Sequence, residues 1–104
     1  MKYLIEGKPF RSLKQIREEL TFLKYKVKQG HLLNWLDSET VLSIFRHFGV
    51  NLDGFSVVYV MRRTLGGRVL VAYNPTLSQD LILSVRNAIK KGNDRLQKPG
   101  VINV

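Results

Sequence analysis

The sequence predicts a small α+β domain from three observations. Two runs rich in Val, Tyr and Phe, within residues 55–74, flank Gly66-Gly67. This is the pattern of a β-hairpin, because both glycines can adopt positive φ. Three other segments space apolar residues three and four apart and stop at a glycine, as amphipathic helices do. Because strands and helices occupy separate parts of the chain, we expect three helices packed on an antiparallel or mixed sheet centred on this hairpin. The predicted helices are residues 12–29, 39–48 and 77–91.

The first elements follow from local signals. Residues 2–5 are a predicted strand, and Phe10-Arg11, beyond a turn, is a partner strand or a connector. Ser12 and Gln15 have the spacing of a capping box, which opens the first helix. The apolar stripe of this helix is Leu13, Ile16, Leu20, Leu23 and Val27. Residues 23–28 also alternate as a strand would, but the longer stripe favours helix as far as Gln29.

The later elements have comparable signals. Asp37 or Ser38 is the predicted cap of the second helix, which glycine ends at position 49. Thr76 and Gln79 repeat the capping-box spacing and predict the start of the third helix. The element order is therefore β-α-α-β-β-α, or ββααββα if Phe10 pairs back.

Length indicates one domain, which we place at residues 1–92. Residues 93–104 are a polar C-terminal tail, either flexible or adding an edge strand at 101–104. If Gly66-Gly67 is a two-residue turn, Arg63 faces Leu70 and Arg62 faces Val71 across the hairpin.

The charge is strongly positive, with 17 Lys and Arg against 8 Asp and Glu, a net +9. Residues 1–30 carry +5, residues 31–54 carry −2, and residues 55–74 and 75–104 carry +3 each. A basic excess favours partners such as nucleic acid, an anionic membrane surface or an acidic protein, although like charge also simply promotes solubility.

Three basic groups are the candidate contacts for a polyanion. Arginine at a hairpin tip has no helix dipole to offset, and its planar fork suits phosphate. Lysines near the ends of the first and third helices have the alternative role of offsetting helix dipoles. The candidate residues are Arg62, Arg63 and Arg68 at the tip, Lys24, Lys26 and Lys28 in the first helix, and Lys90 and Lys91 in the third.

These patterns favour a non-catalytic, cytoplasmic protein that binds DNA or RNA through phosphate contacts. Tyr59, Tyr73 and Trp35 are further candidates for stacking on bases. The alternative is a protein-interaction or regulatory module, acting as a homodimer through the apolar stripe of the first helix or the edge of the hairpin. A small nuclease or toxin is the third hypothesis, with His47 beside Asp37, Glu39 and Asp53.

Catalytic and metal-binding motifs are missing from the sequence. There is no cysteine, and His31 and His47 lack the i, i+4 spacing of a metal pair. Leu65-Gly-Gly-Arg68 is not a phosphate-binding P-loop, because the lysine and the strand-to-helix context are absent. We therefore predict no cofactor and no metal. No apolar run reaches the roughly 18 residues of a membrane span, so we expect no membrane partner.

The order β-α-α-β-β-α is similar to that of one type of KH domain, an RNA-binding fold. That family clamps the RNA backbone with a Gly-x-x-Gly loop between two helices. The corresponding segment here, residues 29–34, has a single glycine. The resemblance is therefore one of element order, and it identifies no family.

Overall fold

The computed structural model confirms the α+β class and corrects the architecture. It describes residues 3–62 and 66–84 of the chain. Within these residues there are two helices and five strands in two small antiparallel sheets, and not three helices on one sheet. The order is ββααβββ, so the similarity in element order to a KH domain does not hold. The elements are β1 (Tyr3–Ile5), β2 (Lys8–Phe10), α1 (Leu13–Lys24), α2 (Trp35–His47), β3 (Val57–Arg62), β4 (Arg68–Asn74) and β5 (Gln79–Leu83).

The predicted third helix is wrong over its first turns, where the chain forms β5. This strand pairs antiparallel with β4, with Tyr73 opposite Asp80. The predicted cap at Thr76 is replaced by an Asx turn, in which the Asn74 side-chain oxygen accepts from the N–H groups of Thr76 and Leu77 at 3.0 and 3.2 Å. Pairing with β4 satisfies the backbone of this segment without a helix. Residues 85–91, the remainder of the predicted helix, lie outside the described residues.

Helix α1 begins as predicted and ends earlier. Ser12 is the N-cap, and its hydroxyl accepts from the N–H of Gln15 at 3.2 Å. The Gln15 side chain accepts from the N–H of Arg11 and not from that of the cap. The helix stops at Lys24, so the predicted extension to Gln29 is wrong. Of the ambiguous residues 23–28, the first two end the helix and residues 25–27 form a turn and a bend, so none of the six is in a strand.

Helix α2 begins earlier than the sequence suggested. Asn34 is its N-cap, with the side-chain oxygen accepting from the N–H of Asp37 at 2.8 Å. The prediction of Asp37 or Ser38 as the cap is wrong. Asp37 lies in the first turn, where its charge is favourable to the helix dipole. Ser38 is buried, and its hydroxyl accepts from the N–H of Val58 at 3.2 Å, which joins α2 to β3.

The hairpin of β3 and β4 is confirmed, but its predicted register is wrong. Arg62 lies opposite Arg68 and Val60 opposite Leu70, so residues 63–67 connect the strands. A two-residue turn would place Arg62 opposite Val71, so the observed pairing is shifted by three positions. Because cross-strand partners share a face of the sheet, this register places fully buried partners such as Val60 and Leu70 together. Burial in the core therefore determines the register. Gly66 and Gly67 both have positive φ, as expected.

One buried cluster joins both sheets and both helices. One face of the β3–β4–β5 sheet and the inner faces of α1 and α2 contribute to it, and β1 and β2 contribute Ile5 and Phe10. The apolar stripe of α1 supplies Ile16, Leu20 and Leu23. Neither described helix is long and apolar enough to cross a membrane.

Candidate functional site

Arg68 connects the tip of the β3–β4 hairpin to the end of α1 by hydrogen bonds. One terminal guanidinium nitrogen of Arg68 donates to the backbone carbonyl oxygens of Lys24, at 3.2 Å, and Val27, at 2.5 Å. The guanidinium also lies over the ring of Tyr25, at 4.9 Å from its centroid. The last carbonyl groups of a helix lack partners within the helix, and a cation is favourable there. Arg68 therefore provides both a hydrogen-bond donor and a charge that the end of α1 requires.

The chain after α1 lies along the free edge of β3. The N–H of Gly30 donates to the carbonyl of Val60 at 2.6 Å, and the N–H of Val60 donates to the carbonyl of His31 at 3.2 Å. Leu32 forms an antiparallel bridge with Tyr59. Because this bridge is antiparallel, the residues that precede Leu32 lie beside those that follow Tyr59, towards the end of β3 at Arg62. The residues just before Gly30 therefore lie beside the hairpin tip.

These two connections bring predicted contact residues together at one end of the molecule. We call this group, Lys24, Lys28, Arg62 and Arg68, the basic end. Lys28 and Arg62 are exposed, whereas Lys24 and Arg68 are partly buried. In the sequence the lysines and the arginines are separated by more than thirty positions. The two basic groups that the sequence places separately, at a helix end and at a hairpin tip, thus lie at the same end of the molecule.

Lys26 has an acidic partner. Its ammonium nitrogen is 2.6 Å from a carboxylate oxygen of Asp37 in the first turn of α2. This ion pair connects the turn after α1 to α2 and neutralises the lysine. The charge of Lys26 is therefore engaged with a carboxylate.

Arg63, Lys90 and Lys91 lie outside the described residues. Those described carry ten Lys and Arg and seven Asp and Glu, a net +3. The remaining seven basic residues and one acidic residue carry the other +6 of the net +9. The net charge of the whole chain therefore says little about the charge of the described surface. The local arrangement of cations at the basic end is more informative.

Arg46 belongs to a separate ionic cluster. It lies 3.1 Å from Glu6 and 2.6 Å from Glu39 and thereby connects α2 to the β1–β2 turn. Partial burial lowers the pKa of Arg46, but the hydrogen bonds that it donates to Glu39 and Glu6, together with the charges of these carboxylates, outweigh that effect, so the pKa is raised. The acids that surround Arg46 are thus occupied in holding the fold together.

The cluster proposed for a nuclease does not assemble as a metal site. His47 contacts the rings of Tyr3 and Phe48 edge to face, at 6.4 and 5.1 Å between centroids. Asp37 and Glu39 form the ion pairs with Lys26 and Arg46. Among residues 3–62 and 66–84, no three His, Asp or Glu side chains are grouped so that they could hold a metal ion.

A second candidate surface is the face of the β3–β4–β5 sheet that points away from the helices. We call it the open face. Leu32, Tyr59, Val71 and Ile82 are paired in turn across the four neighbouring segments and so share this face. A shallow groove of about 470 Å³ lies here. Its lining residues are Tyr59, Met61, Arg62, Val69, Val71, Asp80 and Ile82.

The open face was missed because the third helix was predicted in place of β5. The sequence holds no alternating pattern that would have revealed it, because Leu81, Ile82 and Leu83 are three consecutive apolar residues. Ile82, the middle one of the three, is 67% exposed. Large exposed apolar side chains grouped on one face usually mark an interaction surface.

Tyr59 connects the open face to β5 through a polar contact. Its hydroxyl donates to a carboxylate oxygen of Asp80 at 2.9 Å. Burial is the largest cause of the raised pKa of Tyr59, and the hydrogen bond to Asp80 and the charge of Asp80 raise this pKa further. Tyr59 is half-buried and held in place, which limits its freedom to stack on a base. Trp35, the third aromatic candidate, is 75% exposed at the start of α2.

The apolar stripe of α1, the first surface considered for a dimer, is used inside the chain. Ile16, Leu20 and Leu23 are buried in the core, and Leu13 and Val27 pack against it. Burial of these side chains leaves no exposed apolar seam of the predicted kind on α1.

No protein-family model, curated protein or solved structure matches the chain. The basic end and the open face are therefore the two candidate functional surfaces of the described residues.

Proposed function

We propose that this protein binds nucleic acid, without catalysis, by contacting phosphate groups through the basic end. The observation that carries the proposal is the contact of Arg68 with the carbonyl oxygens of Lys24 and Val27. This contact holds the end of α1 against the hairpin tip. Two basic groups that are separate in the sequence consequently act on the same ligand.

The chemistry of the exposed members suits phosphate. Arg62 offers a planar fork of donors, and Lys28 offers a compact charge on a flexible stem. Among the ion pairs formed by the described residues, none includes Lys28 or Arg62. No carboxylate of residues 3–62 and 66–84 therefore neutralises their charges. Arg68 has a different role in the proposal, because it positions the others.

Phosphate contacts specify no base sequence, so the proposal covers both DNA and RNA. A cytoplasmic location is part of it, because a chain without cysteine lacks the disulfides that small secreted domains commonly use. The predicted contacts Arg63, Lys90 and Lys91 remain candidates from the sequence.

The test is fluorescence anisotropy with labelled single-stranded and duplex oligonucleotides over a salt series. We expect affinity to fall linearly on a log–log plot, with a slope set by the number of phosphates neutralised. Lys28→Ala and Arg62→Ala should each weaken binding and reduce the slope by about 1.

Lys14→Ala and Arg17→Ala are the matched controls. Both residues are exposed cations on α1. Lys14 lies ten residues before Lys24, which is about 15 Å along the helix. The controls should leave affinity nearly unchanged. Absence of binding at the lowest salt would refute the proposal, and equal losses in both pairs of variants would exclude the basic end as the site.

The non-catalytic part is tested separately. We expect RNA incubated with the protein to stay intact, with and without Mg²⁺, and His47→Ala to behave as the wild type does. Cleavage that is lost in His47→Ala would contradict this part and restore the nuclease hypothesis.

A further inference from the structure

We propose that the basic end prefers single-stranded nucleic acid, and that Phe22 and Tyr25, at the end of α1, stack on its bases. This preference rests on the proposed function, since the same site must contact the phosphates. Neither residue was among the aromatic candidates that the sequence suggested, which were Tyr59, Tyr73 and Trp35.

Phe22 is exposed, although the chain uses its other phenylalanines in or beside the core. Phe10, Phe45 and Phe48 are buried, and Phe55 packs against the buried cluster. Phe22, in contrast, is 62% exposed in the last turn of α1. Large aromatic side chains stabilise a fold when they are buried. A ring left in water contributes little to the fold and is available to a ligand.

Tyr25 lies beside Phe22 and adds a second exposed ring. Its N–H donates to the carbonyl of Thr21 at 3.2 Å, so Tyr25 continues the helical geometry, and side chains three positions apart are neighbours on a helix. Tyr25 is 57% exposed. The guanidinium of Arg68 lies over its ring, and this contact limits the movement of the ring. We call Phe22 and Tyr25 the aromatic pair.

The cations of the basic end lie on the same side of the sheet as the aromatic pair. Arg62 and Arg68 are cross-strand partners, so they share a face of the sheet with Val60, which is buried in the core beside the helices. Arg68 contacts the end of α1 on this side. Lys28 is exposed in the chain that follows α1. Positive charge and exposed rings are therefore combined at one end of the molecule.

This combination suits a single strand better than a duplex. Exposed aromatic rings beside cations are typical of sites for single strands, whose bases can stack on side chains while the phosphates contact Lys and Arg. In a duplex the bases are stacked on one another, so the faces of their rings are not accessible and the phosphate contacts remain. The aromatic pair therefore adds affinity for the single strand and not for the duplex.

A carboxylate limits the path of the strand. Glu18 is exposed one turn before Phe22 on the same face of α1. Its charge is unfavourable to phosphate groups. The strand therefore crosses the end of α1, over the aromatic pair and towards the arginines, and does not follow the helix towards its start.

The test is fluorescence anisotropy with a labelled single strand and a labelled duplex, each over a salt series. Phe22→Leu and Tyr25→Leu should each lower affinity for the single strand about fivefold or more, because a base loses its stacking partner. The slope of log affinity against log salt should stay the same, because stacking releases no counterions. Affinity for the duplex should change by less than about twofold, because its phosphate contacts are kept.

Conservative variants and a control separate stacking from other effects. Phe22→Tyr and Tyr25→Phe keep an aromatic ring and should bind as the wild type does. Trp35→Leu is the matched control, since Trp35 is also an exposed aromatic residue. It follows Leu33, which is paired with Val58 near the start of β3 and away from the hairpin tip. The control should leave affinity unchanged, and circular dichroism verifies that every variant is folded.

An abasic single strand, which keeps the phosphates and lacks the bases, isolates the stacking contribution. The wild type should bind it about fivefold or more weakly than the ordinary strand. Phe22→Leu should lose less than the wild type does on the same exchange of strands. Removal of both the ring and the bases should cost less than the sum of the two single losses, because the two groups are partners.

The possible outcomes distinguish the preference for single strands from the proposed function. Single-strand binding that is unchanged in Phe22→Leu and Tyr25→Leu would overturn the preference and leave the proposed function standing. Equal losses for single strand and duplex, an equal loss in Trp35→Leu, or losses that simply add on the abasic strand would overturn it as well. Absence of wild-type binding to either oligonucleotide at the lowest salt would refute the proposed function itself.

Discussion

Arg62 and Arg68 lie opposite each other across β3 and β4, yet the fold uses them differently. Arg62 is exposed and outside the described ion pairs, whereas Arg68 donates to backbone carbonyls at the end of α1. From the sequence both are arginines at a predicted hairpin tip, and both are predicted phosphate contacts. Their different roles arise because β4 lies beside α1.

We predict that Arg68→Ala lowers the free energy of unfolding by about 1–3 kcal/mol, because the carbonyl groups of Lys24 and Val27 lose their donor. Urea denaturation measures the change. Arg62→Ala is the control, and it should stay within about 0.5 kcal/mol of the wild type because the side chain is exposed. Equal midpoints for the two variants would contradict a structural role for Arg68.

A second prediction at the residue scale concerns Tyr59 and pH. Burial and the hydrogen bond to Asp80 raise its pKa, so the neutral phenol is favoured in the folded state. The stabilisation is fully present below the unfolded pKa, near 10, and is lost as pH rises through the folded pKa. We expect Tyr59→Phe to cost about 0.5–1.5 kcal/mol at neutral pH, and we expect the difference from wild type to shrink above about pH 10.

Parallel urea titrations of the wild type and Tyr59→Phe at several pH values measure this difference directly. Other lysines and tyrosines titrate in both proteins, so their effects largely cancel. A difference that grows towards alkaline pH would show that the sign of the Tyr59 pKa shift is wrong.

At the scale of elements, α1 and α2 lie where they were predicted but have different ends, whereas a strand, β5, forms where the third helix was predicted to begin. Helix α1 starts at its predicted cap, Ser12, but ends early because Arg68 and the β3 edge engage the chain that follows. Helix α2 starts early because Asn34, and not Asp37, caps it. The sequence near the start of α2 contains three residues that can cap a helix, Asn34, Asp37 and Ser38, and the sequence alone did not indicate which of them does so.

The start of α2 yields a prediction. Asn34→Ala should destabilise the protein by about 1 kcal/mol, within a range of about 0.5–2, because the N–H of Asp37 loses its acceptor. Asn34→Ser should restore most of the loss, because serine is also a good cap. Asp37→Ala should cost less than Asn34→Ala, because it removes mainly a partly exposed ion pair. Thermal denaturation ranks the three variants, and a larger loss in Asp37→Ala would favour the cap predicted from the sequence.

At the scale of the whole molecule, the two sheets share a core. Phe10 in β2 and Leu83 in β5 belong to different sheets, but both are buried in the same cluster. A cluster that includes every described element favours cooperative unfolding. The fold therefore depends on contacts between segments that are far apart in the sequence.

We predict that Phe10→Ala costs about 3–5 kcal/mol and Leu83→Ala about 2–5 kcal/mol, because each leaves a cavity in this shared core. Both variants should shift one transition of the whole molecule, followed by far-UV circular dichroism in urea. Leu4→Ala, at an exposed position of β1, is the control and should change stability by less than about 0.5 kcal/mol. A second transition in Phe10→Ala alone would indicate that the β1–β2 sheet unfolds independently.

The sequence by itself determined the α+β class, the start of α1, the β3–β4 hairpin and the basic character of its tip. Each depends on local chemistry: a serine cap, a 3-4 apolar stripe, two glycines between β-prone runs, and the sign of the charges. Only the tertiary structure decided the hairpin register, the formation of β5 in place of a helix, and the proximity of the lysines at and after the end of α1 to the arginines of the hairpin. These features depend on which side chains share the core and which backbone groups find partners, and such contacts join residues that are distant in the sequence.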